Sequence, residues 1–230
     1  MNGELIRQIL TLALPLIVAI VFHEVAHGLA AKALGDPTAS EAKRLSLNPL
    51  RHVDPIGTII LPGMLALAKL PVFGWAKPVP VDKWRLRNPR VGMMIVAAAG
   101  PASNIVMAVL GAVVLGLMAR LPGARDGALW LRESVDMLLA FIQINLFLAL
   151  FNLLPIPPFD GSHIVEGVLP EKAAALYAKV RRLGFALVLI LLVVMPRVVP
   201  GFDLVDRLVG PPFDWAYGHV IDLVRLVGGV

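Results

Sequence analysis

The stretch VFHEVAHGLAAKALG, Val21 to Gly35, decides how this chain is read. It sets two histidines and a glutamate near the end of an apolar run that begins at Ile9. His23 and His27 are four residues apart, so on a helix both imidazoles face the same way. That face can hold one Zn²⁺, with Glu24 beside it as a general base for a metal-activated water. The bland alternative is a helix end at an interface, with ordinary solvated side chains. Three ionisable groups in hydrocarbon are costly unless partnered, which favours the metal.

The composition supports an apolar setting. Of 230 residues, 58% are hydrophobic and 16% charged, with a mean hydropathy of +0.80. A soluble domain averages about 45–50% apolar and about 25% charged. One globular core cannot hide so much apolar surface, so the expected class is an all-α integral membrane protein. There is no cysteine, so any metal must be held by nitrogen and oxygen. The N-terminal run reads as retained, because Glu4 offsets Arg7 and no small-residue cleavage site precedes His23.

Core spans are expected at about 5–34, 91–119 and 134–159, with a further span at about 172–196. A helix from Leu5 to Leu34 is about 45 Å long, enough to cross with some to spare. Residues 91–119 carry no charge at all. The segment 56–71 is short and broken by Pro62-Gly63, which suits a re-entrant piece. Pro37, Pro49 and Pro55 exclude one long helix over 36–58, and a small β-hairpin is expected over 38–60. The whole is a polytopic helical bundle of about 4–6 membrane segments. Residues 1–200 read as one domain and 201–230 as an amphipathic tail on the interface. With 56–71 re-entrant, one side carries 13 Lys and Arg and the other 4. The richer side is cytoplasmic by the positive-inside rule, which puts the histidines nearer the cytoplasm of a multi-pass cell-membrane protein.

A catalytic zinc site needs a third protein ligand and an open position. Asp160 closes the run FNLLPIPPFDGSHI at the end of a span, on the side where the first helix carries its histidines. Pro155, Pro157 and Pro158 end that helix, and Gly161 permits a tight turn. An exposed turn aspartate is the ordinary alternative. Asp36 and Asp54 compete as ligands on sequence alone.

His23-Glu24-x-x-His27 in the first span, followed by Asn152-x-x-Pro155-x-x-x-x-Asp160-Gly161 in a later one, resembles the site-2 protease family of intramembrane zinc metalloproteases. The run AAAGPASN, Ala97–Asn104, is similar to the signature of that family's middle core helix. NPLRHVDPIGT (Asn48–Thr58) and FGWAKPVPV (Phe73–Val81) resemble the compact bacterial and archaeal members, which lack PDZ and CBS domains. The resemblance covers roughly residues 15–195.

It implies His23, His27 and Asp160 as ligands of one catalytic Zn²⁺, and Glu24 as the catalytic glutamate. It also implies that Asn152 positions the substrate backbone or stabilises the oxyanion, against the equal alternative of an interhelical hydrogen bond. Asn104 is either a group of the same kind or interhelical glue, with its small neighbours favouring glue. His163 could support the site or touch substrate and His52 could bind substrate or a regulator, with a solvated loop histidine the better reading of both. The implied function is endopeptidase cleavage in or near transmembrane segments. The expected partners are a transmembrane protein substrate and the lipid bilayer, with no nucleic acid. The rival is a non-hydrolytic metal-binding membrane protein for ion transport or sensing, which shares the His/Asp site and has no use for Glu24.

Overall fold

Hydrocarbon offers no partner to backbone N–H and C=O groups, so long uncharged runs satisfy them internally as helices. The computed structural model describes residues 2–68, 70, 74–121, 129–181 and 183–229. Lys69, Pro71, Phe73, Arg125 and Arg182, used in the span, motif and charge readings, lie outside the described residues. In chain order the helices are α1 (Asn2–Ala33), α2 (Thr38–Glu41), α3 (Leu61–Leu67), α4 (Pro89–Ala119), α5 (Leu129–Asn152) and α6 (Asp160–Val168). They are followed by α7 (Glu171–Arg181), α8 (Gly184–Leu189), α9 (Met195–Val198), α10 (Leu204–Leu208) and α11 (Gly210–Gly228).

Three helices among the described residues are long and apolar enough to cross a bilayer: Leu10–Ala33, Pro89–Ala119 and Leu131–Asn152. Together α1, α4 and α5 form the central bundle. Small residues let them close up. Ala97, Gly100, Asn104, Ala108, Gly111 and Ala112 are all buried along α4. Val106, Leu110, Val114 and Leu117 form an exposed apolar stripe on another face of α4. In water such a stripe is a liability, whereas lipid solvates it at no cost. The protein is a multi-pass membrane protein.

The β-hairpin expected over 38–60 is absent. Those residues form α2, a 3₁₀ turn (Pro49–His52) and a π-helical turn (Pro55–Ile60). The reason is local. Asn48 accepts from Leu50 N and Asp54 accepts from Ile56 N and Gly57 N, each just ahead of a proline. A capping acceptor followed by proline starts a helix and removes the donors a strand ladder needs. No strand occurs among the described residues.

The uncharged run ending at Phe159 also stops being helix early. Helix α5 ends at Asn152, and the proline-rich link doubles back so that Asp160 opens α6. Gly161 is required there, because a Cβ would lie 2.2 Å from Leu153 O. The segment expected at 172–196 is not one helix but α7, then α8 running through a π-helical turn into α9. Pro55–Leu67 is a short apolar helix, about 20 Å long at 1.5 Å per residue. At the far end, α11 packs Val220 into a cluster with Ala108, Ala112, Leu115, Ile142 and Leu146.

At the opposite end of the bundle lies a polar platform. Gly35, at φ +107°, ends the turn after α1, where a side chain would be strained. Buried Asp36 then ties the platform together. Thr38 donates its hydroxyl and its N–H to Asp36 Oδ1, and Asp82 N–H donates to Oδ2 at 2.7 Å. An extended strap over 74–82 crosses this platform. It is fastened by Trp75 N to Gly57 O (3.1 Å) and Lys77 N to His52 O (2.8 Å).

Candidate metal centre

Helix α1 presents His23 and His27 one turn apart, with ring centroids 4.6 Å apart and planes at 88°. The α5–α6 turn brings Asp160 to them from the other side. His23 Nε2 lies 3.0 Å from His27 Nε2, and Asp160 Oδ2 lies 3.1 Å from the first and 3.4 Å from the second. Tetrahedral zinc with bonds of about 2.0–2.1 Å sets its ligand atoms about 3.3 Å apart. The observed triangle is close to that size before any ion is added.

The protonation pattern points the same way. His23 Nδ1 faces Asn104 Oδ1 at 2.6 Å, and His27 Nδ1 faces Val96 O at 2.7 Å. Both outer partners are acceptors, so both Nδ1 atoms carry the proton and both Nε2 atoms present bare lone pairs. Asp160 Oδ2 is buried and accepts no hydrogen bond. Three lone-pair donors therefore converge on one point. One extra proton could satisfy one pair of them, not three. A single cation satisfies all, and the donor set of two imidazoles and a carboxylate suits zinc.

Helix α4 leaves room for it. A Cβ on Gly100 would lie 2.5 Å from His27 Nε2 and 2.6 Å from His23 Cε1, so only glycine lets α4 approach this face. Glu24 is turned aside from the triangle. Its Oε2 accepts from Val79 N–H of the strap at 2.8 Å, which leaves the second carboxylate oxygen available. Val79 seats against Gly28, one turn further along α1, where a Cβ would lie 2.9 Å from Val79 Cγ1.

His23, His27 and Asp160 thus come together, with Glu24 beside them on α1 and bonded to the strap. Asn152 is half-buried near the end of α5, and its amide donates to Leu148 O at 2.9 Å rather than to the triangle. The competing ligands are both occupied elsewhere, Asp54 as a local cap and Asp36 by Thr38 and the distant Asp82. Asn104 bonds between helices and also meets the site, its side-chain oxygen lying 2.6 Å from a ring nitrogen of His23. His52 is 3% exposed rather than solvated, with Nε2 2.8 Å from Ser46 O. His163 is half-buried and lines a cavity of about 300 Å³ with Arg90 and Glu166. Two contributors escaped the sequence reading. Val79 acts through a backbone N–H, which leaves no trace in residue type. Asn145 left one: it is a buried amide in the uncharged part of a span.

The model of the family described as Peptidase family M50 matches residues 11–195. The chain belongs to peptidase family M50. It is a zinc metalloprotease of the site-2 protease type, and zinc is its cofactor. This M50 chain is 38% identical over 182 residues to "Putative zinc metalloprotease YwhC" of Bacillus subtilis, covering 79% of this chain and 80% of that protein. It is 30% identical over 178 residues to "Putative zinc metalloprotease Rip2" of Mycolicibacterium smegmatis, and 33% identical over 178 residues to that of Mycobacterium tuberculosis. These matches cover 77% and 76% of this chain but 64% of each Rip2 protein. No solved structure matches the chain.

Proposed function

We propose that this M50 peptidase hydrolyses peptide bonds in or near transmembrane segments of other membrane proteins, with His23, His27 and Asp160 as its zinc ligands. The observation that carries the reading is the triangle of bare donor atoms set into an apolar span. When bound, zinc supplies a Lewis acid that polarises the scissile carbonyl and activates a water. Glu24 takes the proton of the attacking water on the oxygen that Val79 leaves free, then returns it to the leaving amine. Asn152 is assigned to the substrate backbone from its place in the second motif. To reach it, the amide exchanges its bond to Leu148 O for one to the substrate. Substrate helix must unwind locally to expose a peptide bond, because its backbone is otherwise paired.

Residues 1–200 form the single catalytic domain in this reading, and 201–230 a tail. Pro55–Leu67 acts as a re-entrant piece, and the apolar 186–198 stretch as a further membrane segment, giving five with the three long helices. The platform end faces the cytoplasm, supported by its Lys43, Arg44, Arg51, Lys77, Arg85 and Arg87.

Glu24→Gln tests the mechanism. It should keep full zinc stoichiometry and cut cleavage of a single-span substrate by at least ~10²-fold, the usual contribution of a positioned base. Undiminished cleavage would sink the assignment. Loss of zinc would make Glu24 a ligand instead.

A further inference from the structure

His27 and His23 have their tautomers fixed in different ways. Helical backbone fixes His27, through Val96 O. His23 depends on a side chain, and that side chain depends on another. Asn104 on α4 and Asn145 on α5 are both 0% exposed. Asn145 Nδ2 donates to Phe141 O at 2.8 Å. Asn145 Oδ1 accepts from Asn104 Nδ2 at 2.9 Å, and Ala19 O accepts from the same nitrogen at 3.2 Å. Asn104 Oδ1 is left to face His23 Nδ1 at 2.6 Å.

The order of these contacts is compelled. Phe141 O and Ala19 O are acceptors only, so each amide must turn its NH₂ toward them. Flipping Asn145 would set oxygen against Phe141 O and NH₂ against NH₂. Flipping Asn104 would set oxygen against both Ala19 O and Asn145 Oδ1. It would also offer His23 Nδ1 a donor, driving the ring proton to Nε2, into the place of the metal. Two carbonyls on α1 and α5 therefore dictate where the proton sits on His23.

We propose that Asn104 and Asn145 are a positioning relay, passing from α5 through α4 to α1, that holds His23 in the metal-ready tautomer. The relay rests on the ligand assignment above. Asn145 touches neither histidine nor carboxylate, yet it sets the affinity of the site. Outer partners of metal-bound histidines typically contribute about 10–100-fold in metal affinity.

The test uses the full chain in detergent. The zinc dissociation constant is measured by chelator competition, and melting of the zinc-free protein is measured alongside. Asn104→Leu should weaken zinc by ~10–100-fold. Asn104→Asp keeps an acceptor for the ring N–H and should bind within about tenfold of wild type. Asn145→Leu should weaken zinc in the same direction by a smaller factor. If the leucine variants do not accumulate, Asn145→Ala removes only the far amide and should still weaken zinc, by roughly threefold or more. Variants that lower the melting temperature of the zinc-free protein but leave the zinc constant unchanged would reduce the pair to interhelical glue and overturn the relay. His23→Ala separates the two readings. If it retains wild-type affinity, the ligand assignment fails; if it loses zinc while both asparagine variants keep it, the relay alone fails.

Discussion

Gly100 shows how a residue with no side chain can be decisive. It sits in mid-helix, where alanine is the better helix former by about 1 kcal/mol. Yet a Cβ there would lie 2.5 Å from both Cε1 and Nε2 of His27. Gly100→Ala should therefore abolish stoichiometric zinc binding, read by metal analysis of the purified protein. Gly218→Ala, with nothing within 4 Å of the new methyl, should leave zinc intact. At this scale the sequence was highly legible. Helical spacing put His23 and His27 on one face with Glu24 beside them, and the family resemblance pointed to Asp160, which the structure brings to the two histidines. Asn104 stays open at this scale, because an amide amid small residues has the same composition whether it glues helices or orients a ligand. Only its neighbours distinguish the two.

The strap over 74–82 is the element with the sharpest consequence. Pro78 and Pro80 lack an N–H, so Val79 supplies the single backbone donor of that triplet, and Glu24 receives it. Val79→Pro deletes this donor while suiting an extended backbone. Val79→Ala keeps the donor and loses only packing against Gly28. The proline variant should lower kcat by ~10-fold or more with zinc content unchanged, because the base loses a charge-assisted bond of about 1.5–3 kcal/mol that orients it. The alanine variant should stay within a few-fold. Equal losses in the two would assign the strap to packing alone. The hairpin expected over 38–60 failed here for a readable reason. Asn48-Pro49 and Asp54-Pro55 are each a cap followed by proline, a helix-start signature that outweighs short alternation.

Across the whole molecule, the polar platform beside the helical bundle is tied together by one buried carboxylate, Asp36. Burial pushes the Asp36 carboxyl up. The bonds from the Thr38 hydroxyl and N–H and from Asp82 N–H, with the Arg85 charge, outweigh this and hold it below the usual carboxylate range. A group depressed in the folded state contributes stability above its unfolded value of about 3.9, and that stability is lost as pH falls through the folded value. The platform should therefore loosen in acid before the bundle does. Hydrogen exchange should show residues 36–44 and 79–85 opening first below about pH 4. Asp36→Asn should cost roughly 1–3 kcal/mol at neutral pH and flatten that acid dependence, because an amide NH₂ then meets Asp82 N–H.

The sequence by itself, with Asp160 favoured over Asp36 and Asp54 only through the family resemblance, determined the class, the three long spans and the His-Glu-x-x-His spacing. Those depend on hydrophobicity, helical period and proline placement, which are properties of short windows. Tertiary structure decided what surrounds the site. The partner of each histidine Nδ1, the approach of Gly100, the clamp on Glu24 and the amide pair Asn104–Asn145 each join residues about 40 to 80 positions apart. A local window carries no record of such pairings. They exist only because lipid forces buried polar groups to find one another across helices.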